Sequence, residues 1–250
     1  MKNTEKKGSL LSSAKQNIYR DLRSKYFDSS TGNTLDKINS FTKYTGRQNI
    51  AKLLAQHELF NQTKGILGDI VEAGVNHGSG LFGWANIAVS LEPYNYQCKI
   101  IGFDTFKGST GVTKKDLSNL NILRKEKEYN VNNYKDILRA IEIYDNDRPL
   151  NHINKIDIVK GDVSKTIKNY VQRNKQQMIR ILHLSMNLYK PTYYCLKYFL
   201  PLMSKGSIVS IDGLNHATPG CLQALKENIN ITKVKLKTFD YYPNFTYFEI

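Results

Sequence analysis

The sequence predicts an α/β fold, a mostly parallel sheet wound on both faces by helices and closed by an antiparallel terminal strand. Three observations carry that prediction. Short β-branched runs alternate with helical patterns along most of the chain. A glycine-rich turn, residues 74–80, stands where the first run ends and a helix begins. The length of 250 residues suits one large domain or a domain with an appendage, and no apolar run approaches the roughly 18 residues of a membrane span.

In chain order, residues 1–64 open as a polar, basic lead-in and continue into a helix over 49–60, with Ile50, Leu53, Leu54 and Leu59 on one apolar face. Residues 65–250 form the sheet domain. Its strands are read at 66–73 (ILGDIVEA), 98–104 (CKIIGFD), 155–159 (KIDIV), 178–184 (MIRILHL) and 207–212 (SIVSID). Helices follow at 81–91, 131–144, 164–172, 192–202 and 220–228. This alternation is what a parallel sheet requires, because each crossover must return to the same edge. The late runs VKLKTF and FTYFEI, joined through residues 241–244, read as an antiparallel hairpin closing one edge. Residues 105–130 interrupt the rhythm with a long, charged connection at the carboxyl end of the second strand, and are read as a lid.

Composition narrows the function classes. An apolar share of 40% and a charged share of 23% describe a soluble globular chain. The net charge of +14 raises a polyanion as partner, but its distribution argues for a solvated basic surface. Residues 65–110, which hold the glycine-rich turn, carry 2 basic and 4 acidic groups, and the excess lies on either side. No run of arginines with interleaved aromatics appears, which disfavours nucleic acid. The three cysteines, Cys98, Cys195 and Cys221, lack any C-x-x-C spacing, and the start lacks the apolar stretch of a secretory signal, so a cytoplasmic protein without disulfides is expected.

The candidate chemistry begins at Glu72-Ala73-Gly74-Val75-Asn76-His77-Gly78-Ser79-Gly80. Gly74 and Gly78 allow the backbone to approach a ligand, and the helix that follows offers unpaired amides, although the spacing is not G-x-G-x-x-G. Asp104 ends the next strand, where a carboxylate can accept both hydroxyl hydrogens of a ribose. Asp162 follows the third strand. Acidic groups at successive strand ends line one crevice of an open α/β sheet and point to a cofactor bearing a nucleoside.

These residues resemble a known family. The runs GDIVEAGVNHGSG, IGFDTFKG, VKGDVSKTI, LHLSMNLYKPT and IVSIDGLNHATPG are similar, in order, to the motifs of the macrocin O-methyltransferase family. Its members are class I, Rossmann-like enzymes that use S-adenosylmethionine to methylate deoxysugar hydroxyls. The resemblance implies that Glu72, Gly74 and Gly78 surround the methionine part of the cofactor, that Asp104 holds the ribose and Asp162 meets the adenine edge, with Asn76, His77, Thr105 and Phe106 also expected to bind the cofactor. The lead-in and first helix would then help to cover the cofactor. The acceptor would be a sugar or nucleotide-linked sugar, with a homo-oligomer left open.

The resemblance also implies a magnesium ion, held by carboxylates in a D-G-D run before L-Y and in a later D-D pair. Here the corresponding residues are Ser185-Met186-Asn187 and Asp212-Gly213. The three ligand positions fall on Ser185, Asp212 and Gly213, leaving Asp212 alone to hold a hydrated cation with water and substrate. Asp212 and His216, the latter in the loop after the fifth strand, are the candidates for activating the acceptor oxygen. Two other readings stand beside this one: an RNA methyltransferase, prompted by the charge, and a cofactor-binding protein without catalysis, prompted by the missing carboxylates.

Overall fold

The computed structural model describes residues 14–117, 132–214 and 219–250. The chain divides into two compact units that part after Ile50. The boundary therefore comes earlier than residue 64, because most of the helix expected over 49–60 belongs to the larger unit.

The smaller unit is built of helices in its described residues. It holds α1 (Ala14–Ser29), α2 (Thr34–Asn39) and α3 (Phe41–Tyr44). A capping box starts α2: the Asn33 side chain accepts the Asp36 amide, and the Asp36 carboxylate accepts the Asn33 amide. Aromatic contacts between separate segments hold the rest. Tyr44 meets Phe27 edge-on with ring centroids 5.0 Å apart, and its hydroxyl lies 2.9 Å from Ser30 Oγ. Lys37 donates to the Phe27 carbonyl at 2.6 Å, while its ammonium lies over the Phe27 ring. Such pairs leave no periodic apolar stripe to read.

The larger unit takes in α4 (Arg47–Gln62) from Ala51 onward. Its buried face runs through Ala51, Ala55 and Leu59, with Gln56 and Phe60 beside it, while Leu54 is 53% exposed. The small alanines let the helix lie close to the sheet, and that choice turns Leu54 outward. There follow β1 (Asp69–Ala73), α5 (Ser79–Leu91), β2 (Ile100–Asp104), α6 (Tyr134–Asp147), β3 (Ile156–Lys160), α7 (Val163–Arg173), β4 (Ile179–Leu184), α8 (Tyr189–Phe199), β5 (Met203–Asp212), α9 (Gly220–Asn228), β6 (Lys237–Phe239) and β7 (Tyr242–Glu249). The sheet order is β3-β2-β1-β4-β5-β7-β6. β1 to β5 are parallel, and β7 lies antiparallel between β5 and β6. The late runs thus form the expected hairpin.

Alternation along each strand sorts the core into two layers. Ile70, Ile100, Ile181 and Ile208 face α4 and α5 together with Trp84, Ala85 and Phe60. Val71, Ile101, Leu182 and Val209 face the other side, against Ile167 of α7, Leu196 and Phe199 of α8 and Leu225 of α9. Each such branched side chain contributes about 1.5–3 kcal/mol on full burial. Helix α8 begins three residues before the expected start because Pro191 falls in its first turn, where a missing N–H costs no bond.

The amino ends of the strands are closed by a polar network. Arg180 at the start of β4 is 2% exposed and forks onto Glu92, with Nη1–Oε1 3.1 Å and Nη2–Oε2 3.0 Å. Lys155, also buried, donates to the Asn95 carbonyl at 2.8 Å. Cys98, Cys195 and Cys221 are buried free thiols. No helix among the described residues is long and apolar enough to cross a membrane.

Candidate active site

The opposite ends of the same strands, their carboxyl ends, surround a cavity of about 290 Å³. The backbone there is unusual. Three non-glycine residues with positive φ, Asn76 (51°), Phe106 (53°) and Asn187 (54°), follow β1, β2 and β4 in turn. Left-handed backbone in side-chain-bearing residues persists only where neighbours fix it, and it gathers at binding sites.

Asp104 is one such fixing group. Its Oδ2 accepts the Asn76 amide at 2.8 Å and its Oδ1 the Phe106 amide at 2.7 Å. One carboxylate thereby ties the loop after β1 to the loop after β2. An ionised carboxylate has about four acceptor positions, so capacity remains for two further donors from the cavity. Thr105 shapes the next turn, its hydroxyl donating to the Gly108 carbonyl at 2.7 Å and accepting the Lys107 amide at 3.1 Å.

Gly74, with φ of 100°, lies where β1 meets the loop after β4. A Cβ there would stand 3.0 Å from the Ser185 carbonyl, so only glycine allows this approach. Asp162 caps α7: its Oδ1 accepts the Ser164 amide at 3.0 Å and the Ser164 hydroxyl at 2.7 Å. Gly74, Asn76, Asp104, Thr105 and Asp162 all line the cavity. Sequence reasoning placed these five together, and the fold does the same.

Other expected residues stand off its wall. Gly78 is buried at the start of α5, where a Cβ would strike Ile137, and His77 is exposed. Phe106 is 2% exposed and packs on Tyr134 with centroids 5.1 Å apart, so its backbone reaches Asp104 while its ring belongs to the core. Glu72 lies beneath the turn, 1% exposed, its carboxylate against Gly80 of α5. Its Oε2 has no hydrogen-bond partner. Burial pushes this carboxyl up to about 7, with Lys52 opposing and Asp212 and Asp104 adding to the rise.

Glu72 also begins a buried polar row. In register across β1, β4 and β5 stand Glu72, His183 and Ser210, and all three are buried. His183 Nδ1 lies 3.3 Å from Ser210 Oγ, its ring rests between Trp84 and Phe245, and Nε2 has no partner. Burial, with Lys52 nearby, holds this imidazole down at about 3, so it is neutral.

On the cavity wall after β4, Ser185 Oγ donates to Asp212 Oδ2 at 3.3 Å, while Asp212 itself is not among the residues that line the cavity. Met186, Asn187, Leu188 and Pro191 complete the wall, joined by Gly108, Ser109 and Thr110 from the connection after β2. Sequence reasoning did not place these residues on the cavity. It also missed Asp116, which is fully buried, accepts the Thr113 amide and hydroxyl at 2.8 Å each, and caps α8 through the Tyr189 amide at 2.5 Å. The signal was present as Thr113-x-x-Asp116, the capping-box spacing. His216 and residues 118–130 of the expected lid lie outside the described residues.

The donor set does not fit a dedicated magnesium site. Magnesium takes oxygen ligands in near-octahedral geometry, one or two of them carboxylates and the rest water or substrate oxygens. Of the three expected positions, Ser185 offers a neutral hydroxyl already turned to Asp212, and Gly213 offers no side chain. Among the described residues no group of three or more His, Cys, Asp and Glu side chains is gathered as a metal would require.

Comparison with known proteins agrees with this architecture. A search of curated proteins finds no match. Among solved structures, the calicheamicin methyltransferase CalS11 is similar at 26% identity and a TM-score of 0.90, over 95% of this chain and 93% of that one. A second structure of CalS11, described as a TDP-rhamnose 3'-O-methyltransferase, shares 24% identity at a TM-score of 0.81 over 95% of each chain. The O-methyltransferase NovP shares the fold at 18% identity and a TM-score of 0.63, over 80% of this chain and 79% of that one. The family model of the macrocin-O-methyltransferases matches residues 2–245, and the chain belongs to this O-methyltransferase family, TylF.

Proposed function

We propose that this protein transfers a methyl group from S-adenosylmethionine to a hydroxyl of a deoxyhexose or nucleotide-linked sugar. The observation that carries the reading is the placement of Gly74, Asp104 and Asp162 on one cavity wall at the ends of β1, β2 and β3. That spacing suits a nucleoside: Asp104 would accept the ribose hydroxyls, Asp162 the adenine amino group, and the Gly74 backbone would pass the methionine part. Glu72, beneath the turn with an unpartnered oxygen, would take the cofactor's ammonium group, which favours the ionised carboxylate that burial alone disfavours. The acceptor class is supported by family membership and by CalS11, whose described acceptor is TDP-rhamnose.

When bound, the cofactor supplies an electrophilic methyl group on a sulfonium. The chain's own part is to hold the two substrates in line, and orientation of this kind supplies about 7–11 kcal/mol of a barrier. The experiment is incubation of the purified protein with labelled S-adenosylmethionine and a panel of nucleotide-linked deoxysugars, followed by mass spectrometry. A product heavier by one methyl group is expected. Failure of the protein to bind the labelled cofactor in equilibrium dialysis would sink the reading.

A further inference from the structure

We infer that Asp116 is a positioning residue for cofactor binding: it holds residues 105–117 as a fixed wall of the cavity, and its loss weakens the cofactor's hold without removing any contact to it. The inference rests on the proposed function, whose cofactor occupies that cavity.

Helix α8 opens on Leu188, an N-cap residue with no side-chain acceptor. A serine or aspartate at that position would cap the helix locally. The acceptor comes instead from 73 residues away, where Asp116 Oδ1 lies 2.5 Å from the Tyr189 amide nitrogen. The other oxygen, Oδ2, accepts the Thr113 amide and hydroxyl at 2.8 Å each. Gly220 opens α9 against the same carboxylate, and a Cβ there would stand 2.1 Å from Oδ1. One fully buried side chain therefore joins the connection after β2 to the first residues of α8 and α9. Its bonds are charge-assisted, a class about twice as strong as neutral ones.

That junction closes a circuit. From Asp104 the chain runs to Asp116, crosses to Tyr189 and returns through residues 188–186 to Ser185, whose amide donates to the Ala73 carbonyl at 2.8 Å. From Ala73 it passes Gly74 to Asn76, whose amide donates to Asp104 Oδ2 at 2.8 Å. Most of the residues that line the cavity lie on this circuit, Thr110 from the connection and Leu188 before α8 among them. Two of its members, Phe106 and Asn187, hold left-handed backbone, which persists only where neighbours over-determine it. Without Asp116 the circuit is open, and the wall at 108–110 is free to part from the wall at 186–191. The apparent dissociation constant then rises by the inverse of the fraction of molecules whose cavity stays assembled. The outer tie between the same segments does not replace it. Lys115 pairs with Glu227 at 2.7 Å and lies over the Tyr189 ring, but the paired side chains are 38% and 34% exposed, and surface pairs contribute little.

The first readout needs no ligand. The opening amides of a helix have no partner within it, so protection of the Tyr189 amide from hydrogen exchange, followed by NMR on the full chain, reports the Asp116 bond. Protection is expected in wild type and its loss in Asp116→Ala. The second readout is calorimetric titration with S-adenosylhomocysteine, the cofactor without its methyl group, at a temperature where circular dichroism shows each variant folded. Asp116→Ala should raise Kd at least tenfold, and Gly220→Ala, which presses a methyl group onto Oδ1, at least threefold. Thr113→Val should also raise it at least threefold, whereas Thr113→Ser, which keeps the hydroxyl, and Lys115→Met should stay within twofold of wild type. Glu92→Ala, destabilised at the amino ends of the strands, should keep wild-type affinity, which separates positioning from a general loss of stability. If Asp116→Ala does not fold, Thr113→Val and its serine rescue decide the matter. A freely exchanging Tyr189 amide in wild type, a folded Asp116→Ala that binds within twofold of wild type, or a Thr113→Ser no better than Thr113→Val each overturns the inference. Wild type that binds no cofactor overturns the proposed function and this inference with it, a result told apart because wild type and variants then fail alike.

Discussion

The two ends of the same five parallel strands differ in how they treat polar groups. At the amino ends the charged groups are matched within the chain: Arg180 forks onto Glu92, and Lys155 finds the Asn95 carbonyl. At the carboxyl ends the backbone is left-handed at Asn76, Phe106 and Asn187, and Glu72 keeps an oxygen without a partner. The first arrangement ties its charged ends to partners within the chain, with Arg180 Nε and Gln177 Oε1 left over. The second holds acceptors and strained backbone that a ligand can use.

The largest test of this contrast is Glu92→Ala. It leaves Arg180 buried without its counter-ion, and loss of one partner of a buried pair costs about 3–5 kcal/mol. A urea midpoint should fall accordingly, with cofactor affinity unchanged. A variant as stable as wild type would mean that the amino end is not the stabilising one.

Glu72→Gln should do the reverse. The folded carboxyl titrates at about 7 against an ordinary 4.5, so the stability of its neutral form is fully present below 4.5 and is lost as pH rises through 7. Over that window the loss approaches about 3 kcal/mol, which glutamine does not suffer. Thermal melts at pH 8 should therefore favour the variant, and melts at pH 4.5 should coincide. Under the proposed function its cofactor affinity should fall as its stability rises.

Asp104→Ala should weaken cofactor binding by about 1.5–3 kcal/mol for each charge-assisted bond removed, read by calorimetry. Unchanged affinity would take the ribose away from Asp104 and leave it only as the tie between two loops.

The smallest effect sharpens the comparison within the site. His183 is depressed to about 3, so the stability of its neutral form is full above 6.5 and is lost as pH falls towards 3. Between 4.5 and 6.5 its slope opposes that of Glu72, its neighbour in register. Wild-type stability should be nearly flat there as far as these two groups are concerned. Glu72→Gln should uncover a fall of about 1.4 kcal/mol per pH unit on acidification, which a chemical denaturation series can resolve.

Much of this fold could be read from the residues, because β-branched runs such as Ile100-Ile101 and Ile208-Val209 bury on both faces of a sheet and leave few alternatives. Asp104 and Gly74 were legible for a related reason: they close strands at points where only a carboxylate or a glycine serves. What escaped was held by contacts between distant segments. The Phe27–Tyr44 pair shapes α1 to α3 without a stripe, and Ala55 rather than Leu54 sets the face of α4. Phe106 lies in a motif that suggests a ligand, yet its ring serves the core. The stretch of cavity wall from Met186 to Leu188 escaped because irregular backbone after a strand has no period to read.

The Asp104 tie has a kinetic consequence. Its carboxylate is set by two backbone amides before any ligand arrives. Under the proposed function, the nucleoside it receives is the same before and after transfer, since only a methyl group and one positive charge leave the sulfur. The grip therefore does not loosen when the reaction is over. Spent cofactor should compete with fresh cofactor at similar affinity, and its departure should limit turnover at saturating substrate unless the ties between Asn76, Asp104 and Phe106 open.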